Sequence, residues 1–156
     1  MKKGEIAVGR VIKSIYPDKG IIKREDTLVL IKHAIEGQLV EYVLSKKRNG
    51  RAEGRILKVL EKSAMEDAED FCPHSECGGC SYQSLSYDNQ ISIKDKQIAE
   101  LLTDAADEEF LWEGIIKSPE VLHYRNKMEF SFGDEIKDGP LTLGMHKRAS
   151  HYDVVN

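Results

Sequence analysis

Three cysteines lie within the nine residues 72–80 of this 156-residue chain. Their spacing is Cys72-x4-Cys77-x2-Cys80, and two glycines, Gly78 and Gly79, fill the second gap. Thiolates are soft metal ligands, and two cysteines separated by two residues turn both sulfurs toward one centre. So tight a cluster predicts a metal site rather than three inert thiols.

The spacing alone leaves the identity of the metal open. Zinc binds four thiolates, or three thiolates with one His. His74 is then a candidate fourth ligand, although a His in such a loop is more often solvated. Iron–sulfur clusters use four cysteines, and the same spacing also matches the first three ligands of plant-type two-iron ferredoxins.

The cysteine usage and the hydropathy exclude two classes of protein. An odd number of cysteines in one short segment excludes a secreted disulfide scaffold and indicates a reducing cytoplasm. The longest apolar run, residues 28–31, is far shorter than the ~20 residues that span a membrane. No apolar stretch follows the first residues as in a signal peptide. We expect a cytoplasmic monomer that does not enter a membrane.

Charge divides the chain into three parts. Residues 1–62 carry a net charge of +7, residues 63–114 carry −11, and residues 115–156 are neutral. Only the first part has a field that attracts a polyanion. A run of charged residues is usually only a solvated surface, but here the positive field favours phosphate binding. The predicted nucleic-acid contacts are Lys46, Lys47, Arg48, Arg51, Arg125 and Lys127.

Periodicity predicts a mainly β protein with one helix. Short β-branched runs without a helix over residues 1–62 predict about five strands in a small closed OB-like β-barrel. Asn49-Gly50 predicts a hairpin turn. Residues 63–71 are an acidic linker, and residues 72–156 form the Cys-rich metal segment, the helix and part of an antiparallel-sheet α+β domain.

Within the last segment, the sequence predicts a helix over residues 84–102. Ser86 is a good N-cap, and the stripe Ile91, Ile98 and Leu102 is the expected buried face. Strict alternation over residues 124–132 predicts a strand that places Arg125 and Lys127 on one face. Residues 141–145 are its expected antiparallel partner.

No catalytic constellation is present. The sequence contains neither a glycine-rich phosphate loop nor a Ser or Cys nucleophile with an evident base. We therefore predict no catalytic residue in this chain.

Three stretches together resemble a known family. Residues 1–62 resemble the TRAM domain, residues 72–98 (beginning CPHSECGGC) resemble an iron–sulfur segment, and residues 124–133 (YRNKMEFSFG) with 143–155 resemble a central domain. They are similar to the N-terminal part of the S-adenosylmethionine-dependent RNA uracil-5-methyltransferases, best to the 23S ribosomal RNA branch.

The resemblance implies ribosomal RNA as partner, in a structured single-stranded or loop region, and 5-methyluridine as product. It implies a [4Fe-4S] cluster on Cys72, Cys77 and Cys80, with the fourth cysteine just beyond Asn156. It places S-adenosylmethionine in a C-terminal domain outside this chain, so that the chain alone is expected to be inactive. The alternatives are a self-standing zinc- or nucleic-acid-binding module without catalysis and a small ferredoxin-type electron carrier.

Overall fold

The structure, a computed structural model, describes residues 2–48, 51–69, 72–74, 76–134, 136, 138–148, 150 and 152–156, without the side chains of residues 47 and 48. Within them the chain is mainly β with one helix, as predicted. The elements are β1 (Ile6–Arg10), β2 (Lys13–Ile15), β3 (Lys19–Arg24), β4 (Thr27–Lys32), β5 (Leu39–Arg48), β6 (Arg51–Glu61), α1 (Tyr87–Ala105), β7 (Ser131–Gly133), β8 (Thr142–His146) and β9 (Val154–Val155).

The first six strands form one sheet in the order β1-β5-β6-β4-β3-β2. All neighbours are antiparallel except β4 and β6, which are parallel. The sheet curls so tightly that a Cβ on Gly9 of β1 would lie 2.6 Å from Cγ2 of Ile22 in β3. The curled sheet is a half-barrel, which confirms the OB-like architecture. Over the described ranges it has six strands and two edges, β1 and β2, where about five strands and a closed barrel were predicted.

The inner face of the curled sheet holds the core. Inward side chains alternate with outward ones along each strand, because successive residues of a strand point to opposite faces. Tyr42 is the largest side chain in this core and is fully buried. Its buried neighbours are Val11, Ile22, Val29, Ile31, Ala34, Val40, Leu44 and Ala52.

An ion pair near the start of β1 joins the N-terminal segment to β3. Nη2 of Arg24 donates to Oε1 of Glu5 at 2.7 Å, and the Lys2 backbone N–H donates to the second carboxylate oxygen at 2.7 Å. Both contacts lower the pKa of Glu5 below its ordinary value. The hydrogen bond from the Lys2 N–H has the largest effect, and the hydrogen bond from Arg24 has the second largest. The ionised carboxylate is therefore the form that the fold stabilises.

This ion pair predicts a pH-dependent stability. Because the pKa of Glu5 is lower in the folded state, its contribution is complete above the unfolded pKa and is lost as pH falls through the folded one. We expect Glu5→Gln to lower the urea midpoint at about pH 6 and to lower it less at about pH 3, because the contribution of the carboxylate decreases as it becomes protonated. Trp112 fluorescence would follow the transition. Equal losses at both pH values would contradict the assignment.

The predicted helix is present as α1, with Ser86 as its N-cap. Oγ of Ser86 accepts from the Asn89 backbone N–H at 3.4 Å. The predicted buried face of α1, with Ile91, Ile98 and Leu102, is wrong. The buried residues of the helix are Ile93 and Gln97. No helix in the described part of the chain is long and apolar enough to cross a membrane.

The acidic segment after β6 is built into the fold. The carboxylate of Glu66 accepts from the Ser63 backbone N–H at 2.7 Å, from Nε2 of Gln38 at 3.0 Å and from Oγ of Ser84 at 2.9 Å. Oδ1 of Asp67 accepts from the Ser86 backbone N–H at 2.8 Å, and this bond is the main cause that lowers the pKa of Asp67. These carboxylates tie the start of α1 to the end of β6.

The described residues form two compact units. The first contains the chain up to residue 67 together with residues 84–116, and the second contains residues 68–83 and 117–156. The Glu66 network and the ion pair of Lys13 with Glu100 at 2.9 Å place α1 with the barrel. The predicted domain bounds 1–62, 63–71 and 72–156 stay a prediction.

The second unit contains the antiparallel sheet β7-β8-β9. The predicted partner of β7, residues 141–145, is confirmed in β8, since Phe132 pairs with Leu143. The strand predicted over residues 124–132 is wrong for 124–130, which have no regular secondary structure. Alternation produces a strand only where a neighbouring strand pairs with it, and within the described residues none pairs with 124–130.

Candidate functional site

The loop that carries Cys72, Cys77 and Cys80, here called the cysteine loop, pairs with the segment that follows β8 through one isolated β-bridge. Cys77 forms an antiparallel bridge with Lys147. The Gly78 N–H donates to the His146 carbonyl at 3.2 Å, and the Arg148 N–H donates to the Glu76 carbonyl at 2.7 Å. Two backbone hydrogen bonds therefore fix the middle cysteine to the second unit's sheet.

The backbone at the other two cysteines is held by side chains. Nη2 of Arg148 donates to the Cys80 carbonyl at 2.8 Å, and Nε2 of Gln83 donates to the Cys72 carbonyl at 2.6 Å. Both donors belong to the same compact unit as the cysteines. Each cysteine of the loop thus has its own attachment to the unit.

One sulfur already accepts a hydrogen bond from the loop. The Gly79 backbone N–H lies 3.4 Å from Sγ of Cys77. Peptide N–H groups directed at sulfur stabilise thiolate ligands and tune the metal that they bind. This contact is the feature of the loop that favours metal binding.

The three predicted ligands are free thiols. Cys72 and Cys80 are exposed, and Cys77 is half-buried. In the part of the chain that the structure describes, no three His, Cys, Asp or Glu side chains converge on a common point as a metal site. Metal binding at Cys72, Cys77 and Cys80 therefore stays a prediction, and so does any part played by His74.

The basic hairpin is formed by β5 and β6. Lys46 pairs with Glu53, and Arg48 pairs with Arg51 in the backbone register. The side chains of Lys46 and Arg51 are exposed. The predicted turn at residues 49–50 and the predicted side-chain roles of Lys47 and Arg48 lie outside the described residues.

Arg125 and Lys127 lie on an exposed segment rather than on a strand. Residues 124–129 and Met145 line an open groove of about 490 Å³. Nζ of Lys127 contacts Oε1 of Glu129 at 2.7 Å, and both side chains are mostly exposed. An ion pair so exposed contributes little stability, and both cations are accessible to a ligand.

Sequence reasoning missed the two side chains that support the cysteine loop. Gln83 follows the last cysteine by three residues, but no spacing rule connects an amide to a distant carbonyl. Arg148 was noticeable only as a basic residue after β8. Its role depends on a contact with Cys80, which lies 68 residues earlier in the chain.

Three curated proteins that are similar to this chain share one description. The chain is 41% identical to an uncharacterized RNA methyltransferase of Caldanaerobacter subterraneus over 156 residues, or 99% of this chain and 34% of the relative. It is 39% identical to one of Clostridium acetobutylicum and 37% identical to one of Clostridium tetani, each over 100% of this chain and 34% of the relative. No protein-family model matches the chain.

The alignments cover nearly all of this chain but only part of each relative. The chain spans about a third of the length of the curated relatives it matches. Its two compact units, including the cysteine loop and the basic hairpin, all lie inside the matched region, because almost every residue is aligned. The chain is therefore similar, over its whole length, to one part of proteins named as RNA methyltransferases.

Proposed function

We propose that this chain is the RNA-recognition and iron–sulfur-binding portion of a 23S ribosomal RNA uracil-5-methyltransferase that uses S-adenosylmethionine. The observation that carries the proposal is the match of the entire chain to proteins named RNA methyltransferases. The finer assignment to uracil and to ribosomal RNA rests on the resemblance of residues 72–98 and 124–133 to the uracil-5 family.

In this proposal the chain binds and positions RNA, and methyl transfer belongs to the part of the relatives that the chain does not match. Extraction of a target base from folded RNA costs a few kcal/mol of stacking and pairing. Phosphate contacts from exposed cations such as Lys46, Arg51 and Arg125 offset that cost. The chain's expected contribution is therefore affinity rather than chemistry.

The cysteine loop fits a [4Fe-4S] cluster as its ligand. Three soft donors lie within nine residues, and the Gly79 N–H already contacts one of the sulfurs. We assign the fourth ligand to a cysteine outside this chain. When bound, the cluster supplies iron–sulfur bonds that cross-link the loop, and metal binding of this kind contributes directly to folding.

The chain's own residues prepare the loop for that cross-link. Arg148 and Gln83 fix the backbone at Cys80 and Cys72. The loop therefore loses less conformational entropy when its cysteines bind the cluster. The β-bridge between Cys77 and Lys147 connects the cross-linked loop to β8 and β9. On this basis we assign the cluster a structural role rather than an electron-transfer role.

Anaerobic reconstitution tests the metal assignment. We expect the chain, treated with ferrous iron, sulfide and a small thiol that can supply a fourth ligand, to become brown. Iron and acid-labile sulfide should each reach about four atoms per chain, which separates a [4Fe-4S] cluster from a [2Fe-2S] cluster. Cys77→Ser should lose most of the bound iron, because only two protein ligands then remain.

His74→Ala is the matched control, since His74 lies in the same loop and is exposed. It should bind as much iron as the parent chain. A colourless protein that takes up zinc but no iron would assign the loop to the zinc module instead. A cluster that is reversibly reduced by a mild one-electron donor would favour the electron carrier.

A further inference from the structure

The outer face of β3, β4 and β6 brings together cations that lie far apart in the sequence. Alternate residues of these strands are buried in the core, and the residues between them point outward. The outward positions are Lys19, Ile21 and Lys23 on β3, Leu28, Leu30 and Lys32 on β4, and Arg51, Glu53 and Arg55 on β6.

The strand register aligns these outward side chains into rows. Lys19 pairs with Lys32, and Lys32 pairs with Arg55. Paired Cα atoms of neighbouring strands lie about 5 Å apart, so three cations share a strip about 10 Å long. We call Lys19, Lys32 and Arg55 the first cation row.

A second row crosses the same strands at their other end. Lys23 pairs with Leu28, and Leu28 pairs with Arg51. We call Lys23 and Arg51 the second cation row. Four residues of strand separate the two rows, which corresponds to about 13 Å at 3.3 Å per residue.

The cations of the first row are not neutralised within the described structure. No acidic oxygen of a described residue lies within 4 Å of a side-chain nitrogen of Lys19, Lys32 or Arg55. Like charges on directly opposite residues of a sheet are destabilising. A bound polyanion would relieve this repulsion, and it is the class of ligand that the face fits by charge.

The side chains between the rows indicate which polyanion fits. Apolar Ile21 and Leu30 lie midway, beside the single carboxylate, Glu53. None of the nine outward positions carries an aromatic ring, so the face lacks the stacking platforms that bind unpaired bases. Base-paired RNA is instead recognised through its shape and its phosphates.

We propose that this two-row face binds the phosphate backbone of base-paired RNA, with each row contacting one strand beside the shallow minor groove. The inference rests on the proposed RNA-binding function. Arg51 belongs to the basic hairpin already predicted to contact RNA, and the other four cations of the two rows extend that surface along the bodies of the strands. Because the rows contact phosphates and no base edges, binding is independent of RNA sequence.

The test compares two variants with equal loss of charge. The full 156-residue chain is titrated into a fluorescein-labelled RNA hairpin with a stem of about 16 base pairs, and anisotropy is followed over a range of salt. Lys32→Gln/Arg55→Gln should weaken binding to stems of any sequence and reduce the salt slope by about 2, or one per lost phosphate contact. Lys94→Gln/Lys96→Gln on α1, also exposed, should leave both quantities unchanged.

A third variant should change affinity in the opposite direction. Glu53→Gln removes the one carboxylate among the nine outward positions, so we expect tighter binding to the same hairpin. All substituted side chains are exposed, and circular dichroism should confirm that the fold is unchanged.

The other outcomes separate this inference from the proposed function. If the parent chain binds the hairpin but both double variants weaken it equally, the face is wrong and RNA binding stands. If an unpaired oligonucleotide of equal length binds as tightly as the hairpin, the assignment to paired RNA is wrong. A parent chain that binds neither probe would overturn the face and the proposed RNA-recognition role together.

Discussion

Tyr42→Ala is expected to destabilise the first unit by about 3–5 kcal/mol, the usual cost of removing a large aromatic side chain from a core. Tyr42 is fully buried and is the largest side chain of the barrel core. It lies on β5, which pairs with both β1 and β6, so the cavity would open among the central strands. Since small domains have only about 5–15 kcal/mol of total stability, the variant should unfold at a much lower urea concentration than the parent chain.

Urea unfolding followed by Trp112 fluorescence measures this loss. Trp112 is the only tryptophan of the chain and belongs to the same compact unit as the barrel. Tyr42→Phe is the matched control, because it keeps the ring and should retain most of the stability. An alanine variant as stable as the phenylalanine variant would show that the barrel core does not depend on this ring.

Gly144→Ala is expected to separate β9 from β8. A Cβ at position 144 would overlap the backbone carbonyl oxygen of Val155, and a backbone group has no rotamer by which to move away. The pairing of Met145 with Val155 and of His146 with Val154 should be lost. Because the Gly78 N–H bonds to the His146 carbonyl, the cysteine loop should lose its support as well.

Hydrogen exchange read by mass spectrometry checks this result. Peptides that cover β8 and β9 should exchange much faster in Gly144→Ala, and the reconstituted variant should retain less iron. Gly78→Ala is the control in the same unit, since a Cβ there would lie 3.6 Å from the nearest atom, an ordinary contact. Unchanged protection of β8 in Gly144→Ala would contradict the proposed role of this glycine.

The features that sequence reasoning predicted correctly are those encoded by neighbouring residues. The Ser86 cap is local, because its hydroxyl reaches an amide three residues later. The barrel strands follow from runs of β-branched residues between turns, and each run needs only its own alternation to be recognised. The cysteine spacing is also local, and for that reason it was noticeable before any fold was known.

The errors share one cause, which is that the deciding partner lies far away in the chain. Residues 124–130 alternate as a strand should, yet they remain irregular because, among the described residues, no strand pairs with them. The face of α1 was misjudged for a similar reason. Ile93 and Gln97 are buried by what packs against the helix. The predicted stripe, Ile91, Ile98 and Leu102, does not specify that neighbour.

By itself the sequence determined the β-rich class, the helix with its cap, and the three thiols and basic segment that suggest metal and RNA. Only the tertiary structure decided that Glu66 joins α1 to the barrel, that Arg148 holds Cys80, and that Lys19, Lys32 and Arg55 form one row. Chain order constrains contacts over a few residues, whereas strand register and curl bring distant residues together. A row of charges on three strands therefore exists only once those strands have paired.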